Sequence, residues 1–345
     1  MQQLPLFKPP TEWVMPDGYP DLSSAKEVAI DLETRDPNLT TLGSGWPRKD
    51  GHIIGIAVAV SSDQWYFPIR HEIGSNFDVK MTLKWLRDVV SIKRDYIFHN
   101  APYDVGWLLA NDVHIKGRII DTMVAAPLLD ENRFSYALNA LGRDYLQDRK
   151  SEGELREAAE AFGVNAKSEM YKLPAAYVGK YAEQDAALTL KLWQHFKTLI
   201  IKEDISDIFN LELRVLNTII PMRQHGVRVD LQKAEHIKQD LQIREKRLLD
   251  NITKQTGVAV EIWAAESVAK AFDSLGLTYT KTEKTGAPSF TKGFLSNHPH
   301  EVPQMIVQAR EYQKARSTFV DTILKHQVNG RIHAELHPLR SDDGG

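Results

Sequence analysis

No cysteine occurs among the 345 residues. Disulfides, thiolate metal sites and cysteine nucleophiles are therefore excluded, and a reducing compartment suits the chain. No apolar run approaches the ~18 residues needed to span a bilayer. The opening M-Q-Q-L-P-L-F-K-P-P lacks the basic-then-apolar pattern of a secretory signal. Neither a P-loop nor a G-x-G-x-x-G is present, which argues against a nucleoside-triphosphate motor and a dinucleotide enzyme. Basic charge is not in excess: 43 Lys and Arg face 46 Asp and Glu, for a net charge of -3. A nucleic-acid partner would have to be held by local basic patches and by metal, not by a global field. His333-A-E-L-His337 does not have the H-E-x-x-H order of a metalloprotease and reads as a strand-turn with surface histidines. There is no internal repeat and no low-complexity tract.

What remains is a soluble globular composition, 42% hydrophobic and 26% charged. The length predicts about two domains. Residues 1–27 read as an irregular lead-in. Val28–Leu32, His52–Val60 and Gln64–Ile69 are β-type runs on short connections, predicting an antiparallel meander. The Gly- and charge-rich Thr40–Gly51 reads as a loop. Lys80–Val90 is helical by period, Tyr96–His99 a strand, Tyr103–Ala110 a helix and Ile119–Met123 a strand. Strands first and alternating β/α later imply α/β architecture, a mixed sheet covered by helices. Helical pattern then fills Ala125–Leu199, broken near Gly163 and Pro174, with Val178–Phe196 its best segment. A first domain is expected over 28–202. Beyond it the chain is nearly all helix: Ile205–Gln224, Leu231–Gln255, Ser267–Leu275 and Val302–His326. Gly226 reads as a C-cap and Asp230 as an N-cap, and Leu277–Lys292 as a polar loop.

The stretch that organises the chain is Glu27–Thr34, E-V-A-I-D-L-E-T. Side chains alternate along a strand, so Asp31 and Glu33 point the same way, about 6–7 Å apart. Two carboxylates side by side repel by roughly 4 kcal/mol at contact range and an effective dielectric near 20. A proton or a cation between them relieves this, and hard divalent ions prefer such oxygen ligands. Alone, D-x-E also fits a strand end with two solvated acids. Partners lie further on. Asn100-A-P-Y-Asp104 leaves the strand Tyr96–His99 and enters a helix, at the carboxyl end where α/β folds place ligands. Tyr181-A-E-Q-Asp185 lies inside the long helix, and its i, i+4 spacing puts phenol and carboxylate on one face.

D-x-E, N-x-x-x-D and Y-x-x-x-D, in that order across residues 28–202, resemble the three exonuclease motifs of DnaQ-like 3′–5′ exonucleases. The tyrosine marks the variant of polymerase proofreading domains and ribonuclease D relatives. The resemblance implies a ribonuclease H-like fold and two ions of Mg²⁺ or Mn²⁺, ~4 Å apart, acting on an in-line displacement at phosphorus. It implies that Asp31 bridges both metals, that Glu33 and Asp185 complete the tighter one and that Asp104 holds the second. Tyr181 with Glu33 then orients the attacking water, and Asn100 positions the 3′-terminal nucleotide. Thr34 is followed by Arg35-Asp36, where many relatives have small residues. This departure removes no ligand.

Residues 211–230, G-A-P-S-F-T-K-G-F-L (286–295), R-E-Y-Q-K-A-R-S-T-F-V-D (310–321) and G-R-I-H (330–333) resemble the segments that open the polymerase portion of family A DNA polymerases. The resemblance implies a thumb-like region over 203–345 that grips primer–template. Arg310, Lys314, Arg316 and Lys325 suit phosphate contacts, with Lys314 and Arg316 the expected contact residues. The palm aspartates and the fingers helix of the family have no counterpart up to the final R-S-D-D-G-G. The chain thus reads as the amino-terminal part of a phage-type polymerase, a truncated frame or one half of a split enzyme. Expected partners are single-stranded or frayed 3′ DNA ends, primer–template DNA and the missing polymerase half, with no membrane, in the cytoplasm of a bacterial host. Two other readings are a ribonuclease D-like RNA-processing exonuclease and a non-catalytic DNA-binding subunit.

Overall fold

The structure, a computed structural model, describes residues 10–148 and 152–337. They divide into two compact units. One comprises the described residues up to Gly226 and again from His333, and the other is Val227–Ile332.

The first unit is built on five strands: β1 (Glu27–Arg35), β2 (His52–Ala59), β3 (Gln64–Pro68), β4 (Asp95–Phe98) and β5 (Arg118–Asp121). Their order is β3-β2-β1-β4-β5. The first three form the expected antiparallel meander, and β4 and β5 run parallel to β1 and to each other. The main helices of the unit are α1 (Val79–Val90), α2 (Ala101–Ala110), α3 (Thr122–Leu129), α4 (Gly153–Phe162), α5 (Gly179–Lys202) and α6 (Ser206–His225), beside short helical turns such as Leu39–Leu42 and Trp46–Arg48. This is the mixed sheet with flanking helices predicted above. Helix α5 lies across β1, β2 and β3. Its buried stripe includes Ala182, Ala186, Leu192 and Phe196, and the two alanines permit close approach to the sheet. The boundary expected near Lys202 separates α5 from α6, and both helices lie in the first unit.

Several bounds differ from the sequence reading. The strand expected over Ile119–Met123 stops at Asp121, because its carboxylate accepts the Met123 N–H at 2.8 Å and caps α3. The helical stretch expected from Ala125 also breaks at residues 130–137. His333 is not a surface histidine: it is half-buried, its Nδ1 2.8 Å from the Arg223 carbonyl. Near it, Glu335 accepts from the Ser44 N–H at 3.0 Å and from Arg223 Nη2 at 2.8 Å. The Arg223 guanidinium in turn lies 5.3 Å from the Trp46 ring centroid.

The second unit has its own core, around Ile252, Val268, Phe272, Leu295 and Ile306. Its first and last strands, β6 (Val227–Arg228) and β9 (Arg331–Ile332), pair antiparallel. Gly226 is the C-cap of α6 with a φ of 66°, and Asp230 caps α7 (Leu231–Thr256) through the Lys233 N–H at 2.9 Å. After α8 (Ala265–Ser274), the expected polar loop 277–292 contains a two-stranded hairpin, β7 (Thr280–Lys281) with β8 (Pro288–Ser289). Past α9 (Lys292–Ser296), the helix expected over Val302–His326 is divided. A π-helical turn, Ala315–Val320, separates α10 (Glu301–Lys314) from α11 (Asp321–His326). Arg316 lies inside that turn.

Gly106 shows how tightly the first unit is packed. A Cβ there would lie 2.2 Å from Trp46 Cε2, and Trp46 is only 1% exposed. Alanine favours a helix interior over glycine by about 1 kcal/mol. Overpacking of a rigid core costs about 1–3 kcal/mol and should win here, since the indole cannot retreat. Gly106→Ala is expected to lower the denaturant midpoint, and an unchanged or higher midpoint would contradict this packing.

Candidate active site

Strand β1 places its acids by simple alternation. Val28, Ile30 and Leu32 are buried, while Asp31 and Glu33 are half-buried and share the other face. Asp31 pairs with Ala57 and Glu33 with Gly55 of β2, and the register slips just after Glu33. Such a bulge re-aims neighbouring side chains. Because β4 runs parallel to β1, the chain leaving it enters α2 at the same sheet edge as these acids. Asp104, on the first turn of α2, accepts the Leu32 N–H at 3.0 Å. It is therefore anchored to the backbone between Asp31 and Glu33.

Helix α5 brings the third group. Carboxylate oxygens of Asp31, Glu33 and Asp185 all lie within 4.8 Å of one another. Asp185 and Asp104 are buried, at 5% and 4% exposure. Burial, and then the charge of Asp31, hold the Asp104 carboxyl well above the usual range. Tyr181 is hydrogen-bonded to Asp185 one turn along α5, and burial, followed by the charges of Glu33 and Asp185, pushes its phenol far above its ordinary value. It is a neutral hydroxyl among acids. An all-oxygen cluster whose members repel one another fits a hard divalent cation, which would satisfy the donors and cancel the repulsion.

Asn100 lies just ahead of α2 with a left-handed φ of 72°. With Pro102, Tyr103, Asp121 and Met123 it lines a cleft of about 460 Å³, to which Asp31, Glu33, Asp104, Tyr181 and Asp185 do not contribute. Tyr103 is 2.6 Å from the Thr34 hydroxyl and donates to Asp36 at 3.3 Å. Asp36 also accepts the Gly45 N–H at 2.9 Å, and Arg35 lies 4.9 Å over the Tyr171 ring. Arg35-Asp36 is thus committed to framing this edge.

The basic residues singled out in the second unit are differently placed. Arg316 is paired with Glu245 at 3.1 Å and with Asp321 at 3.4 Å. Arg310 donates to the carbonyls of Ile262 at 2.7 Å and Phe290 at 2.9 Å. Lys314 is exposed.

The sequence reading missed the ring packed near the acids, on their own face of the sheet. The Tyr66 hydroxyl is 2.7 Å from His71 Nε2, and His71 Nδ1 is 2.7 Å from the Leu173 carbonyl. Burial depresses the His71 pKa to about 4, so the ring is neutral and bridges the two. A Cβ at Gly55 would fall 1.9 Å from the Tyr66 hydroxyl. That lone glycine in an apolar strand was the available signal of a close approach. Asp121 was also missed, and an acid between a strand and a helix was the signal there.

Comparison with known proteins points to the family that the motifs resemble. A family profile described as the 3′–5′ exonuclease of A-type DNA polymerases matches residues 17–201. The chain is 34% identical to a DNA-directed DNA polymerase of Pseudomonas phage M6 over 98% of its own length and 52% of that protein. It is 28% identical to DNA polymerase DpoZ of Salmonella phage PMBT28, over 95% of this chain and 53% of that one. The chain spans about half the length of these relatives. Among solved structures, the POL domain of Pol1 from M. smegmatis, in complex with DNA primer-template and dNTP, matches with a TM-score of 0.64 at 18% identity. The match covers 94% of this chain and 52% of that one, and it extends the likeness in fold across both units. By the profile match and the site it encloses, the chain belongs to the 3′–5′ exonuclease family of family A DNA polymerases.

Proposed function

We propose that this chain is the proofreading exonuclease portion of a family A polymerase, removing nucleotides from single-stranded or frayed 3′ DNA ends with two divalent ions. The observation that carries the reading is the convergence of Asp31, Glu33 and Asp185 within 4.8 Å, with Asp104 hydrogen-bonded between the first two. Asp31 would be shared by both ions, with Glu33 and Asp185 on one and Asp104 on the other. Mg²⁺ or Mn²⁺ suits this oxygen set. When bound, such a pair supplies Lewis-acid stabilisation of the attacking and leaving oxygens.

The chain's own residues supply position. The Tyr181 hydroxyl, with Glu33, orients the attacking water. As a neutral phenol it offers a hydrogen bond and adds no negative charge beside the phosphodiester. Asn100, just ahead of the helix that carries Asp104, contacts the terminal nucleotide. Exposed Lys314 reaches primer–template phosphates. Arg316 would add to that contact only by leaving Glu245 and Asp321, so its contribution is expected to be small. In this reading the partners are DNA ends, primer–template and a polymerase portion such as the relatives carry. The site of action is the cytoplasm of a bacterial host. No helix of the described residues is long and apolar enough to cross a membrane.

Asp31→Ala is expected to abolish Mg²⁺-dependent digestion of a 3′-frayed DNA oligonucleotide. Its thermal stability in chelator should hold or rise, because one member of a repelling cluster is gone. Wild-type digestion by the folded variant would refute the site, and faster digestion of RNA than of DNA by the wild type would favour the ribonuclease D reading.

Tyr181→Phe is expected to lower kcat by about 10- to 100-fold while leaving KM for single-stranded DNA unchanged, the pattern of an interaction made in the transition state. A loss confined to KM would make Tyr181 a substrate contact.

Residues 1–345 are expected to digest a primer but not to extend it. Extension needs a second set of metal-binding acids. Among the described residues Asp31, Glu33 and Asp185 form the one such cluster found, while Asp342-Asp343 lies outside those residues. Exonuclease and primer-extension assays on one preparation test this, and template-dependent extension would overturn it.

A further inference from the structure

The reading above leaves one buried acid without a task. Asp121 closes β5 at 1% exposure, and its carboxylate takes N–H groups from the starts of two helices. Oδ1 accepts from Asn100 at 3.0 Å and from Met123 at 2.8 Å. Oδ2 accepts from Ala101 at 2.8 Å. Burial raises its pKa to about 6, against the opposing pull of these donors.

Capping α3 through Met123 does not require a buried charge, since serine, threonine or asparagine would serve. A carboxylate is distinguished by accepting on both oxygens. The bonds to Asn100 and Ala101 are therefore the ones to explain. Asn100 sits in the left-handed region at φ 72°, sparsely populated by residues other than glycine. Although asparagine is among the best N-caps, its side chain makes no capping bond to α2. Asp121 does that work from the neighbouring strand, where it pairs in register with Phe98. The Asn100 side chain is thereby spared from capping α2. The same first turn carries Asp104, which reaches the Leu32 N–H.

Resting on the exonuclease reading, we propose that Asp121 is a positioning residue: by holding the left-handed turn at Asn100 and the first turn of α2, it sets Asn100 toward the substrate and Asp104 against β1. It touches neither substrate nor metal and acts through those two residues.

The test is Asp121→Asn in the full chain. Asparagine keeps one acceptor oxygen and turns an NH₂ toward an N–H donor, so one of the two helix starts must shift. The variant is expected to lose about 10- to 100-fold in kcat and in Mn²⁺ affinity, as for the loss of a residue that orients a metal ligand. Mn²⁺ binding is read directly by electron paramagnetic resonance, apart from activity. Leu86→Ala, in the buried face of α1, is the control. It should melt earlier yet retain wild-type kcat and Mn²⁺ affinity. An Asp121→Asn protein that melts earlier but keeps wild-type kcat, KM and Mn²⁺ binding would overturn the positioning role. If that variant cannot be isolated folded, Asp121→Ser, which can still cap α3 but has a single oxygen, decides in its place. A similar loss in the folded serine variant supports the role, and wild-type values overturn it. A wild-type chain with neither nuclease activity nor Mn²⁺ binding would instead sink the exonuclease reading itself.

Discussion

The structure depends on keeping like charges together where water is scarce. Asp31, Glu33 and Asp185 have oxygens within 4.8 Å of one another, and Asp104 is buried against the same strand. Each carboxylate raises the cost of ionising its neighbours, and burial adds to that cost. A flexible site would relax by turning the acids into solvent. This one is held by groups that cannot turn: a strand with its other face in the core, the Leu32 N–H, and a long helix packed across three strands. Rigidity here means that the repulsion is relieved by a proton or a cation and not by rearrangement.

That rigidity is built from close approaches. Gly55, the partner of Glu33, leaves room for the Tyr66 hydroxyl on the acids' own face of the sheet, and His71 ties that hydroxyl to the Leu173 carbonyl ahead of α5. Gly106 lets α2 sit on Trp46, and Ala182 and Ala186 let α5 sit on the sheet. At each place a small residue removes volume so that a rigid ring or helix can fix an element carrying a functional group. Glu183, between Tyr181 and Asp185, adds a polar tie. It accepts the Tyr66 N–H at 3.0 Å and the Trp13 indole N–H at 2.8 Å. The backbone of edge strand β3 is thus satisfied by the helix that carries the active-site face.

The parts of the site legible in the sequence are those whose geometry is local. A period of two puts Asp31 and Glu33 on one face, and a period near four puts Tyr181 and Asp185 together. The order of the motifs then matched a known family. What was not legible depends on partners distant in the chain. Asp121 acquires its role from register with Phe98 and from two N–H groups some 20 positions earlier. Arg316 looked like a free cation on a basic helix, but Glu245 on α7 already holds it. Charge composition cannot reveal that commitment. The hairpin within 277–292 escaped notice because two-residue strands carry no periodicity to read.

The choice of a tyrosine at position 181 follows from the same electrostatics. A histidine there would be drawn toward protonation by three neighbouring carboxylates, and its charge would then compete with a cation for the same oxygens. A phenol in this setting is held protonated by the same carboxylates, but its protonated form is neutral. Burial and the charges of Glu33, Asp185 and Asp31 all favour its neutral form. Held in this way, the phenol keeps its proton and can donate or accept a hydrogen bond. In the proposed reaction Tyr181 contributes orientation through a hydroxyl that adds no charge to the cluster.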